Sequence, residues 1–194
     1  AIGRTNNPDK NFAYSVASQV IMGSVTALVV PITIAKYGIA GMCVPAMIIA
    51  LFTLLFVSKL RDPAKNNVQE SSAATPKGIL ILPLIGLFIM VIWQMGVGPF
   101  FNNLVPFGLS INLKGDEIGT ALFLSTGLSI MGPLAASALA SKINRSVAIS
   151  SALILQIIIV LSFQGDMDWY GFTIRAILFQ TSWNFAGPFL MGMV

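Results

Sequence analysis

Long apolar runs almost free of charge dominate this sequence, and they constrain it more than any motif. Six stretches, 13–35, 39–58, 79–101, 117–140, 147–164 and 169–194, are each long enough for a helix of about 20 residues. The runs are continuous. A barrel strand would be about 10 residues long and alternate in polarity, so helices are expected. The β-branched patch at Ile157–Val160 lies inside one of the runs and does not change that reading. Of 194 residues, 56% are hydrophobic and 9% charged, against about 25% charged in soluble domains. So few charges cannot cover a water-facing surface. The expected fold is an all-α membrane protein of about six transmembrane helices, with lipid as the covering medium.

Loop charge is an independent check, because the runs were chosen by hydrophobicity. Six spans make the loops alternate sides. Arg4, Lys10, Lys59, Arg61, Lys65, Lys77, Lys142 and Arg145 fall on one side, and Lys36 and Lys114 on the other. A bias of eight to two orients the chain by the positive-inside rule. Loops 1–12, 59–78 and 141–146 are therefore expected in the cytoplasm, and the chain in a cell (inner) membrane. The same pattern accounts for the net charge of +4. No cluster of cations is interleaved with aromatics, so no nucleic-acid partner is expected. The chain has no histidine, and its single cysteine, Cys43, lies in an apolar run. These counts argue against a disulfide scaffold, a His-based metal site and His-dependent catalysis. No cofactor, no metal and no enzymatic activity are expected.

Residues 59–78 are rich in polar and small residues and lack an apolar period, which marks a linker. It divides the chain into 1–58, with two spans, and 79–194, with four. Both ends look cut, which suggests the middle of a longer chain. Glycine and proline punctuate the runs at Pro31, Pro45, Gly96 to Pro99, Gly132-Pro133 and Gly187-Pro188. They suit either ordinary membrane helices or hinges around a central cavity.

Polar residues at membrane depth usually face the bundle interior. Ser15, Gln19, Met22 and Thr26 share one face of the first run, and Thr173, Gln180 and Asn184 share one face of the last. Ser125 and Ser129 stand one turn apart, Gln156 is central in the fifth run, and Trp93-Gln94 is central in the third. Each fits simple interhelical hydrogen bonding. Together, Gln19, Gln94, Gln180 and Asn184 are candidates for lining one cavity, with Trp93 and Trp183 stacking on a substrate. Arg175 fits three roles: anion ligand, ion-pair partner, or a cation reaching the outer surface. Asp116 and Glu117 suit a helix N-terminus.

The order of segments resembles the major facilitator superfamily, from the end of its fourth span to its tenth. Gly3-Arg4 with 7–12 is similar to the loop before span five, and 59–78 falls where the two halves join. Gly108 to Ser110 followed by Ile118-Gly119 resembles the entry to span eight. Trp183 to Phe185 with Gly187-Pro188 resembles span ten. The family repeats a loop of pattern Gly-x-x-x-Asp-Arg-x-Gly-Arg-Arg, and residues 137–146 stand in its place. There Lys142 and Arg145 keep basic positions and Ser137 stays small. Ser141 replaces the acid, and Asn144 replaces a glycine, as a residue that tolerates a left-handed turn.

The resemblance implies a twelve-helix, two-bundle secondary transporter working by alternating access. Ser137, Ser141, Lys142, Asn144 and Arg145 would form a gating loop. The partners would be a small-molecule substrate, the bilayer, the remaining helices of the chain and, where transport is coupled, a proton or ion. A channel would be expected to show a filter loop or charge ring. An enzyme would show clustered His, Asp or Cys, and a scaffold subunit would turn its polar residues to partner helices.

Overall fold

The computed structural model describes residues 8–57 and 81–192. The linker 59–78 and the opening Gly3-Arg4 lie outside the described residues. Among the described residues every regular element is a helix: α1 (Pro8–Tyr37), α2 (Ala40–Val57), α3 (Ile81–Asn102), α4 (Leu104–Ser110), α5 (Gly115–Leu128), α6 (Met131–Leu139), α7 (Arg145–Ser162) and α8 (Trp169–Met191). Among the described residues three helical stretches are long and apolar enough to cross a membrane: 84–102, the α5–α6 pair over 115–139, and 145–162.

The ends of the elements follow local chemistry. Glu117 accepts a hydrogen bond from the Lys114 backbone N–H at 2.8 Å and so closes the first turn of α5. Asp168 accepts from the N–H of Gly171 at 2.8 Å at the start of α8. The turn between α1 and α2 uses Gly38 at φ 61°, a region that only glycine enters without strain. Proline breaks the helices less than its placement suggests. α3 runs through Pro99 and α8 through Pro188. The clear interruption separates α5 from α6 at Ser129-Ile130. Pro133 falls in the first turn of α6, where a helix has no use for its missing N–H.

α8 is the centre of the fold, packed by α5, α6, α7, α1 and α3. Its hydrogen bonds to α5 keep a constant offset, Gln180 to Ser125 and Asn184 to Ser129, so the two helices run parallel. α1 runs antiparallel to the α5–α6 pair. Near one end Ala13 packs with Ala136, and further along Gly23 approaches Thr126. At Gly132 the backbones of α6 and α8 meet so closely that a Cβ would strike the Thr181 carbonyl oxygen. Small residues allow such approach where no hydrophobic side chain fits.

An apolar core is combined with buried polar groups and with many exposed large apolar side chains. Ser125, Ser129, Gln156, Thr173, Gln180 and Ser182 are buried. Ile85, Phe88, Ile92, Ile154, Ile157 and Ile158 are exposed. α8 is the most enclosed helix, yet it carries Gln180, Asn184 and Arg175 and is not among the three apolar stretches. So extensive an exposed apolar surface is unusual for a helical bundle in water.

Candidate functional site

Two polar rungs join α5 to α8. The Gln180 amide donates to the Ser125 hydroxyl at 2.7 Å, and the Asn184 amide to the Ser129 hydroxyl at 2.9 Å. Each serine in turn donates to a carbonyl of its own helix, Leu122 and Thr126 respectively. The i, i+4 spacing on both helices makes this possible, since residues one turn apart share a face. Thr173, on the same helix, donates to the Trp169 carbonyl at 2.7 Å.

Beside the rungs stands an aromatic wall. Trp93 of α3 and Trp183 of α8 meet edge to face with centroids 6.4 Å apart, and Phe101 lies 5.5 Å from Trp183. Phe100 contacts Phe179 at 4.5 Å and Phe163 at 5.1 Å. The Trp93 indole N–H donates to Oε1 of Gln156 on α7 at 3.2 Å. Nε2 of the same amide is buried without a partner.

The structure thus places Gln180, Trp183 and Asn184 on α8 and brings Trp93 of α3 against Trp183. Gln19 and Gln94 are both exposed and meet none of these groups. On α1 the buried face is Ala13, Val16, Ala17 and Val20, and the stripe of Gln19, Met22 and Thr26 lies on the exposed side. Arg175 stays apart from the amides. Its Nε donates to the Ser162 hydroxyl at 3.2 Å, and its Nη1 lies 3.8 Å from the Met167 sulfur, so it ties α8 to the C-terminal end of α7. A cation suits that end of a helix dipole.

The loop between α6 and α7 is built differently from its motif-level reading. Asn144 has φ −67° and ψ 133°, not a left-handed turn. It is the N-cap of α7, and its side chain accepts from the Ser146 N–H at 2.9 Å. An acid from α1 reaches this corner. Asp9 receives both Nη2 of Arg145 at 2.8 Å and Nε at 3.2 Å. The Asp9 side chain is 10% exposed and that of Arg145 36%. Gly192, at the end of α8, lies against the same carboxylate, and a Cβ there would strike it. Ser141 and Lys142 are exposed, and Ser137 is half-buried. Asp9 escaped the sequence reading because a lone acid in a polar opening segment carries no period, and its partner is 136 residues away.

Compared with protein-family models, curated proteins and solved structures, the chain matches none. Among the described residues no group of His, Cys, Asp and Glu is placed to hold a metal ion.

Proposed function

We propose that the chain is the central part of a secondary transporter of the major facilitator type. In this reading it crosses a cell membrane six times, with 1–12, 59–78 and 141–146 in the cytoplasm, and moves a small organic solute by alternating access. The observation that carries the reading is the Asp9–Arg145 pair. It joins α1, from before the linker, to the first residue of α7, after it. Two bodies that rock against each other need a contact that holds one state and can be released. A bidentate ion pair open to solvent on its arginine side meets both needs.

The polarity pattern supports the membrane setting, since exposed apolar faces and paired buried polar groups suit hydrocarbon outside and protein inside. The solute would be held near the Gln180 and Asn184 rungs and the Trp93–Trp183 wall. Gln19, Gln94 and Arg175 would act elsewhere on its route.

The test is uptake by the full-length protein that contains this chain, reconstituted in vesicles and screened against uncharged, anionic and cationic solutes, with and without a proton gradient. A saturable flux that falls in Asn184→Ala at unchanged expression is expected. Flux of no solute by correctly inserted protein would overturn the proposal.

A further inference from the structure

We propose that the cleft between α3 and α7 is a binding site for a neutral, largely apolar small molecule bearing one hydrogen-bond acceptor, with that acceptor seated on Nε2 of Gln156. The two helices stand apart, bridged by Trp93 to Gln156 and by Phe100 to Phe163. The gap has a volume of about 440 Å³ and is lined by Trp93, Val97, Phe100, Gln156, Val160 and Phe179, among other apolar groups. That volume lies within the roughly 300–1,000 Å³ of small-molecule sites, which are mostly apolar with a few placed polar groups.

Gln156 is that polar group. It is 5% exposed, its Oε1 is occupied by Trp93, and its Nε2 has no partner. A buried donor without an acceptor is costly. Water is a poor solution, because a buried water needs two to four polar partners and the remaining lining is apolar. A ligand carbonyl would satisfy the donor while its body fills the cleft. No lining residue is charged, so an ionic ligand would be buried unpaired and is disfavoured. The aromatic edges and faces of Trp93, Phe100 and Phe179 favour a flat ring system. The inference does not require that the chain transports anything.

Benzophenone is a suitable probe: neutral, aromatic, with one carbonyl, and able on illumination to label nearby C–H bonds. The purified chain in detergent is labelled with it, and the labelled residues are mapped by mass spectrometry. Saturable labelling of Leu153 and Val160 is expected. Diphenylmethane, which lacks the carbonyl, should compete about fivefold less well than unlabelled benzophenone, as one hydrogen bond predicts. Gln156→Leu should make the two competitors equal. Gly96→Leu should abolish cleft labelling, because Gly96 lines the cleft and a Cβ there meets nothing within 4 Å. Competition by added phosphatidylcholine would assign the same acceptor chemistry to a lipid ester, and its absence to a free solute. Labelling spread evenly over the exposed Ile154 and Ile158, or equal competition by the two compounds in the unmodified chain, would overturn the proposal.

Discussion

Asp9 and Arg145 lie 136 residues apart in sequence and 2.8 Å apart in space, and they form a forked ion pair where α1 meets α7. The pair is asymmetric: the carboxylate is enclosed and the guanidinium is partly open to solvent.

That asymmetry predicts unequal costs. Arg145→Gln leaves an enclosed anion without its cation and should destabilise by about 2–3 kcal/mol, less than a fully buried pair because the arginine is solvated. Asp9→Asn leaves a cation that water can reach and should cost only about 1 kcal/mol. The double variant should lose less than the sum. Unfolding of the purified chain by titration with a denaturing detergent measures all three.

Gly132 and Gly98 should respond oppositely to a side chain. A Cβ at Gly132 meets the backbone of α8 at Thr181 and Phe185, whereas one at Gly98 meets nothing within 4 Å. Gly132→Val should cost about 1–3 kcal/mol or more by forcing α6 from α8. Gly98→Ala should be neutral or stabilising by about 0.5–1 kcal/mol through helix propensity. Thermal unfolding midpoints of the two variants in the same detergent decide it, and equal midpoints would contradict the close approach.

The rung from Gln180 to Ser125 should appear as a coupling energy. Ser125→Ala strands the amide, while Gln180→Leu removes the donor and leaves the serine bonded to Leu122. A double-mutant cycle should return about 0.6–1.7 kcal/mol, the scale of hydrogen bonds between membrane helices. A value of zero would mean that the rung contributes nothing.

Under the proposed topology, cysteines at Lys114 and Lys142 should react from opposite sides of the membrane. Both lysines are exposed, at the start of α5 and just after α6. The native Cys43 is also exposed, so Cys43→Ser is the background. A membrane-impermeant maleimide added to sealed cells should label Lys114→Cys, and should label Lys142→Cys only after lysis. Labelling of both before lysis would remove the membrane-spanning arrangement of the α5–α6 pair.

The helices were legible because apolar runs are long and their ends carry local signals. Glu117 was readable as an acid at a helix N-terminus, whereas its bond to Lys114 and the cap of Asp168 on Gly171 needed the structure. The interruption at Ser129-Ile130 was not legible, because Gly132-Pro133 marks the start of a helix as readily as a kink. Facing was half legible. The stripe of Gln19, Met22 and Thr26 is real, but periodicity gives a face and not its surroundings, and here the small residues Ala13 and Ala17 took the packed side. Gln180 and Asn184 could be picked out as paired groups, but their partners Ser125 and Ser129 are fixed only by how two distant helices align. α4 is too short to leave an apolar period, and sequence offered no sign of it.

Three helix ends converge on one carboxylate: the first turn of α1 carries Asp9, the first residue of α7 supplies Arg145, and Gly192 ends α8 against both. Counterions can reach the guanidinium, whereas the apolar contacts elsewhere are indifferent to ordinary electrolyte. Ionic strength therefore reaches this corner through its open arginine side, as a dial that slackens the junction of three rods while leaving their apolar seams untouched.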